Sequence, residues 1–168
     1  MILFLDYDGV LHPDEVYTRN GRPYLAVEGK LFMWAHVVED ALADFPDIRI
    51  VISSSWARFL GFKRAKNALP RALAARVIGA TWHSHMKFPD DGPPLQYPET
   101  MWDQMTRYEQ IERWAKRAGI TDWIAIDDND EGWPEALRHH LIHTVSNLGL
   151  GHEKAARELR SILAGRNR

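Results

Sequence analysis

Two aspartates bracket a tyrosine at the end of a short apolar run: Ile2-Leu3-Phe4-Leu5 leads into Asp6-Tyr7-Asp8-Gly9-Val10-Leu11-His12. Such a run reads as a buried strand, and Gly9 supplies the turn that ends it. On extended backbone, side chains two apart share a side, so Asp6 and Asp8 are delivered together. Paired carboxylates at that place suit a hard cation, a nucleophile with an acid/base partner, or both. The plainer alternative is an Asp-Gly turn beside a surface acid, which the flanking apolar run disfavours. Two further apolar runs end in polar clusters. Ile48–Ile52 opens into Ser53-Ser54-Ser55-Trp56, and Trp123–Ile126 into Asp127-Asp128-Asn129-Asp130. The serines can cap the helix that follows, hold a phosphate at its N-terminus, or both. The acidic run partly follows the order of a calcium loop through Asp127, Asn129, Glu131 and Gly132, but Arg138 stands where a bidentate Glu is required. Two acids carried toward Asp6 by a buried strand better suit magnesium, which takes a few carboxylates, waters and substrate phosphate.

The elements that must position these clusters follow from periodicity. Strands are expected at Ile2–Leu5, Ile48–Ile52, Val77–Thr81, Trp123–Ile126 and Leu141–Val145, with helices between them. Helical spacing runs from Leu31 to about Phe45, from Trp56 to about Leu69 and from His152 to Leu163, with a short helix after Pro70. Thr106-Arg107-Tyr108-Glu109 has the form of a capping box, and its helix is expected to stop at Gly119. Asn20-Gly21 between β-favouring residues predicts a hairpin within residues 12–30. Residues 82–103, with Pro89, Pro93, Pro94 and Pro98, read as a long irregular loop and a candidate lid. Strands alternating with helices predict an α/β fold with a doubly wound parallel sheet over one domain, residues 1–168. In that fold the three polar clusters converge on one edge, at the carboxyl ends of the strands.

Composition narrows the function classes. The chain has 168 residues, 45% hydrophobic and 26% charged, as in ordinary globular proteins. A formal net charge of −2 lacks the overall basic footprint of a general nucleic-acid binder, while a local basic groove stays open. Without cysteine, disulfides and thiolate chemistry are excluded. No stretch approaches the roughly 18 apolar residues of a membrane span, and the N-terminal run meets Asp6 too early for a signal peptide. A cytoplasmic protein with no membrane partner is expected. His83-Ser84-His85 and His139-His140 with His143 have metal-like spacing without a carboxylate in clear register, so zinc is disfavoured. His12 can contact substrate or serve a structural hydrogen bond. Trp56 and Trp82, just after strand ends, are candidates to line a pocket.

The ordered set Phe-Leu-Asp-Tyr-Asp-Gly-Val-Leu-His, Val-Ile-Ser-Ser-Ser-Trp and Ile-Ala-Ile-Asp-Asp resembles the haloacid dehalogenase (HAD) superfamily of phosphohydrolases over nearly the whole chain. Within it, the phrases look like small-cap HAD domains, some of which occur in nucleic-acid repair proteins. The resemblance implies a Rossmann-like sheet with only a minimal cap, here the hairpin after the first strand. It implies a magnesium-dependent phosphatase working through an aspartyl-phosphate, with Asp6 as nucleophile and Asp8 as general acid/base. Magnesium would be held by Asp6, the backbone carbonyl of Asp8, Asp127 and Asp128. For the phosphate-binding hydroxyl the match favours Ser54, with Ser53 next. The family's basic residue, usually Lys, falls on Arg107, which stands 20 residues before Asp127. Lys87 and then Lys63 are the alternatives. The expected partner is a phosphorylated substrate, with nucleotide, nucleic-acid end, sugar phosphate and phosphoprotein all open. Two rival readings are a phospho-accepting receiver-like module and a non-catalytic phosphate-binding domain.

Overall fold

The computed structural model describes residues 1–87 and 100–165, with the backbone alone of His85 and Lys87. Among the described residues seven strands and six α-helices follow in chain order: β1 Ile2–Leu5, β2 Val16–Arg19, β3 Arg22–Leu25, α1 Ala35–Ala41, β4 Arg49–Ile52, α2 Ser55–Leu60, α3 Phe62–Ala68, α4 Arg71–Arg76, β5 Val77–Ala80, α5 Arg107–Ala118, β6 Trp123–Asp127, β7 Leu141–His143 and α6 Glu153–Gly165. Five strands form one parallel sheet in the order β5-β4-β1-β6-β7. The chain winds from β1 outward through β4 to β5, then returns to β6 beside β1. The reversal makes β1/β6 the topological switch point, where open α/β sheets leave a crevice at their carboxyl ends. This is the doubly wound, Rossmann-like α/β arrangement expected of a HAD domain.

Every residue of β1 is buried, because both faces of the sheet are covered. Leu3 and Leu5 pack with Ile50, Ile52, Ile124 and Ile126 under Val38 and Leu42 around α1 and Leu159 and Leu163 of α6. Ile2 and Phe4 turn the other way, toward Val51, Ala125 and the α5 residues Tyr108, Ile111 and Ala115. Continuing this two-residue alternation places Asp6 on the α5 face of β1. The same alternation through Trp123, Ala125 and Asp127 places Asp127 on that face of β6. Parallel register aligns Leu5 with Ile126, so the two acids leave their strands side by side.

β2 and β3 form an antiparallel hairpin closed by Asn20 and Gly21, with φ of 51° and 71°. Two consecutive positive φ values fit the right-handed twist of a two-residue hairpin turn. The capping box at Thr106 and Glu109 is formed and starts α5 at Arg107.

Two helices differ from expectation. The periodicity over Leu31–Phe45 yields a helix only at Ala35–Ala41. Ahead of it, the Phe32 N–H donates to His12 Nδ1 and the Trp34 N–H to the Leu11 carbonyl, with Phe32 at φ 60°. Those backbone groups serve the loop after β1 and are lost to a helical ladder. The expected helix from Trp56 to Leu69 is two, α2 and α3, meeting at Gly61. Of the loop 82–103, Ser84–Lys87 is a short 3-10 turn and residues 88–99 lie outside the described residues.

Candidate active site

A cavity of about 400 Å³ opens at the β1/β6 switch point, lined by Asp6, Asp8, Asp14, Ser55, Arg107, Asp128, Asn129 and Asp130. Among these lining residues Arg107 is the single cation facing five aspartates. The fold therefore brings Asp6, Asp8, Asp128 and Arg107 of the sequence-derived set to one space, with Asp127 buried directly behind. Asp6, Asp127 and Asp128 each offer an oxygen within 4.8 Å of the others.

Asp6 is buried at the end of β1, and its Oδ1 accepts the Tyr7 N–H at 2.7 Å. Its Oδ2 accepts from Arg107 Nη2 at 3.2 Å. Arg107 Nε lies 2.9 Å from Asp127 Oδ2 as an ion pair, though the N–H direction does not make it a hydrogen bond. Asp127 Oδ1 accepts the Asn129 N–H at 3.0 Å, and Oδ2 is a buried carboxylate oxygen without a hydrogen bond among the described residues. Such an oxygen, beside two more carboxylates, is the donor set a hard divalent cation takes. The residues present thus fit a metal ion.

Burial dominates the proton affinities. It pushes the Asp6 carboxyl well above its ordinary range; Arg107 opposes this, while Asp127, Asp8 and Asp128 add to it. Burial likewise carries Asp127 up to about 6 against the pull of Arg107 and of the Asn129 N–H. For Arg107, burial pulls downward and is outweighed by Asp127 and Asp6, so the guanidinium is held charged.

Asp8 is oriented from the other side of the cavity. Its Oδ1 accepts the Trp56 indole N–H at 2.9 Å and lies 3.0 Å from His12 Nε2. Because His12 Nδ1 accepts the Phe32 N–H, the proton of the neutral ring sits on Nε2 and points at Asp8. Phe32 and Tyr7 meet the Trp56 ring edge-on, at centroid distances of 5.3 and 5.6 Å, and lock the indole in place. His12 is completely buried, which places it in support of Asp8, while Trp56 takes up the pocket position its place after β4 suggested.

The serines divide their tasks. Ser54 is the N-cap of α2, its hydroxyl accepting from the Trp56 N–H at 3.4 Å. Ser53 is fully buried, and its hydroxyl has no hydrogen-bond partner among the described residues. Ser55 lies on the cavity wall. Lys63 is exposed on α3 and is not among the lining residues; the side chain of Lys87 lies outside the described residues.

Several contributors were not singled out from sequence. Gln110 accepts from Arg107 Nη1 at 3.0 Å and donates to the carbonyls of Trp102 and Met105, so it aims the guanidinium. The spacing of three from Arg107 on a helix was its only signal. Asp103 pairs with Arg58 through Nε and Nη2 and fastens the segment before α5 to α2. Gly9, at φ 70°, lets the turn after Asp8 run against the Asp128 carboxylate, where a Cβ would collide. No curated protein and no solved structure matches the chain. Over residues 2–155, however, it fits the family model described as the HAD domain in Swiss Army Knife RNA repair proteins, and the chain belongs to that family.

Proposed function

We propose that the protein is a magnesium-dependent phosphatase that cleaves a phosphomonoester through an aspartyl-phosphate on Asp6, and that the ester is a phosphorylated nucleic-acid end. The convergence of Asp6, Asp8 and Arg107 on one cavity beside the Asp6–Asp127–Asp128 cluster carries this reading. The HAD superfamily is of the phosphohydrolase type and typically uses a divalent metal, and the matched family is named for RNA repair, which supports the choice of ester.

Asp6 attacks phosphorus with a carboxylate oxygen, and the bond from phosphorus to the ester oxygen breaks. Asp8 acts first as general acid, giving a proton to the leaving oxygen, and then as general base, taking one from the water that hydrolyses the acyl phosphate. Inorganic phosphate leaves and Asp6 is restored. The indole N–H of Trp56 and Nε2–H of His12 hold Asp8 in one orientation through both transfers. Arg107 binds the transferring oxygens. Three serine hydroxyls are candidates to join it: Ser54, which accepts the Trp56 N–H and keeps its own proton to donate, Ser53, which has no partner among the described residues, and Ser55 on the cavity wall. Magnesium held by Asp6, Asp127, Asp128 and the Asp8 carbonyl would offset the repulsion between a carboxylate nucleophile and a phosphoryl dianion.

Turnover of an aryl phosphate with magnesium tests the reading. Activity is expected to vanish in EDTA and in Asp6→Asn. Undiminished turnover by Asp6→Asn would overturn the proposal, as would stable phosphorylation of Asp6 without release of inorganic phosphate, the behaviour of a phospho-accepting module.

A further inference from the structure

The hairpin β2–β3 carries a face that the core does not use. Cross-strand register pairs Tyr17 with Tyr24 and Arg19 with Arg22. Residues two apart share a face, so all four side chains stand on one side of the ribbon. The opposite side holds Val16, Thr18, Pro23 and Leu25, of which Val16 packs against the core. On the free side Tyr17 is 58% and Tyr24 45% exposed, with their rings 6.3 Å apart.

A cross-strand tyrosine pair can be explained by hairpin stability alone. The arginine pair cannot, because like charges directly opposite each other destabilise a ribbon. Neither Arg19 nor Arg22 has an acidic partner among the described residues. A third guanidinium joins them at the tip, where Arg64 Nη2 donates to the Gly21 carbonyl at 2.8 Å and ties the hairpin to α3. Arg19, Asn20, Arg22, Pro23 and Tyr24 also line a shallow depression there. Exposed aromatic faces with flanking guanidinium groups are what a single-stranded polynucleotide takes: bases stack on the rings, phosphates pair with the cations.

The hairpin is also rooted at the candidate active site. Asp14, two residues before β2, lines the catalytic cavity, and the Ala26 N–H closes the base on the Glu15 carbonyl at 2.8 Å. Its strands of four residues span about 13 Å at ~3.4 Å per residue. A strand lying along this ribbon would have one end at the hairpin's root, beside Asp14 of the cavity.

We infer that the Tyr17–Tyr24 and Arg19–Arg22 face of the hairpin is a docking platform for a single-stranded polynucleotide. It rests on the proposed phosphatase in one respect: the strand held is the one whose terminal phosphate enters the Asp6 cavity. Charge and stacking favour a polynucleotide over a second copy of the chain, which is the competing occupant.

Binding of a short fluorescein-labelled oligouridylate without terminal phosphate, followed by anisotropy at low salt, tests the platform without any turnover. Its deoxy counterpart forms a second arm that separates RNA from DNA. Tyr17→Ala/Tyr24→Ala is expected to weaken binding at least about tenfold, since each stacked base contributes roughly one decade of affinity or more. Arg19→Gln/Arg22→Gln, which removes the repulsion and leaves the hairpin's pairing intact, is expected to weaken binding and flatten its salt dependence by about 1.4 in log-log slope, at ~0.7 per phosphate. The inference is overturned if wild type binds neither oligonucleotide, if both double variants bind as wild type does, or if sedimentation shows a dimer that the tyrosine substitutions dissolve. Aryl phosphate turnover by wild type is scored separately, so a failed platform and a failed phosphatase give different patterns.

Discussion

Replacing Asp127 by Asn should stabilise the metal-free protein at neutral pH, although Asp127 sits at the centre of the candidate site. Its carboxyl has an ordinary value of 3.8 and lies at about 6 in the fold, with burial as the largest cause. Below pH 3.8 the residue is protonated in both folded and unfolded chains, and Asn is a fair stand-in for it. Between 3.8 and 6 the unfolded chain releases a proton that the fold retains, so stability falls as pH rises. Above about 6 both are ionised and the loss is complete. At about 1.4 kcal/mol per pH unit, ionised Asp127 destabilises the native state by about 3 kcal/mol. For a chain of 168 residues this corresponds to about 6–12 °C in Tm. Asp103, Glu112 and Asp130 have lowered values and contribute the opposite pH trend, but they are present in both proteins and cancel in the difference; Asp6, whose proton affinity Asp127 helps to raise, loses that push in the variant and widens the gap in the same direction. Urea unfolding of wild type and Asp127→Asn in EDTA from pH 4.5 to 8 should show a gap that opens as pH rises. Adding magnesium at pH 8 should raise wild type by up to ~2.7 kcal/mol at a hundredfold excess over Kd and leave the variant unmoved. A gap independent of pH, or a variant less stable than wild type at pH 8 in EDTA, would refute the burial account.

Two further expectations separate positioning from folding. Trp56→Phe keeps the ring contacts to Tyr7 and Phe32 but removes the N–H that Asp8 accepts. A hydrogen bond to a charged group is worth about 1.5–3 kcal/mol, so kcat should fall roughly 10- to 100-fold with KM little changed; steady-state kinetics within twofold of wild type would show that Asp8 needs no such brace. Gly9→Ala forces a side chain to φ 70° and against the Asp128 carboxylate. It should lose about 1–3 kcal/mol in urea unfolding and weaken magnesium binding by calorimetry, and the second effect distinguishes displacement of Asp128 from backbone strain alone.

The strand-borne half of the site was legible in the sequence because each acid continues an apolar run. Once Ile2–Leu5 and Trp123–Ile126 are adjacent parallel strands, two-residue alternation alone places Asp6 and Asp127 together. Arg107 was legible through the capping box, which fixes it at the first turn of α5. The supports of Asp8 were legible only as candidates, His12 for a structural hydrogen bond and Trp56 for a pocket wall, and Gln110 beside Arg107 was not. Trp56 reaches Asp8 across 48 residues of chain, a pairing that no local pattern encodes. Gln110 looks like any polar helix residue until Trp102 and Met105 turn their carbonyls toward it. The overlong helix at Leu31–Phe45 failed for a related reason. Leu31, Phe32 and Trp34 are apolar because they pack on the core from a loop, and apolar spacing does not distinguish a helix face from a loop lying over the core. The serine run was ambiguous in the same way, since capping and ligand binding draw on the same residue types at the same place.

The charge balance of the cavity argues for an order of binding. Two unit charges about 4 Å apart interact by roughly 4 kcal/mol near a protein surface, so a phosphate dianion meeting five aspartates with one guanidinium is repelled overall. Arg107 cannot offset this alone, because it is already shared between Asp6 and Asp127. Burial, the largest cause of the raised proton affinities at Asp6 and Asp127, acts in the same direction: the folded chain takes up positive charge there, from a proton at low pH or from a cation at neutral pH. A cation taken up by Asp127 and Asp128 would relieve the excess and loosen the hold of Asp127 on Arg107, leaving the guanidinium available to phosphate oxygens. Substrate should then follow the cation, since a site that is repulsive to the dianion when empty becomes attractive once its acids are matched. The burial of Asp127, which destabilises the empty fold, is on this account what couples metal uptake to phosphate binding.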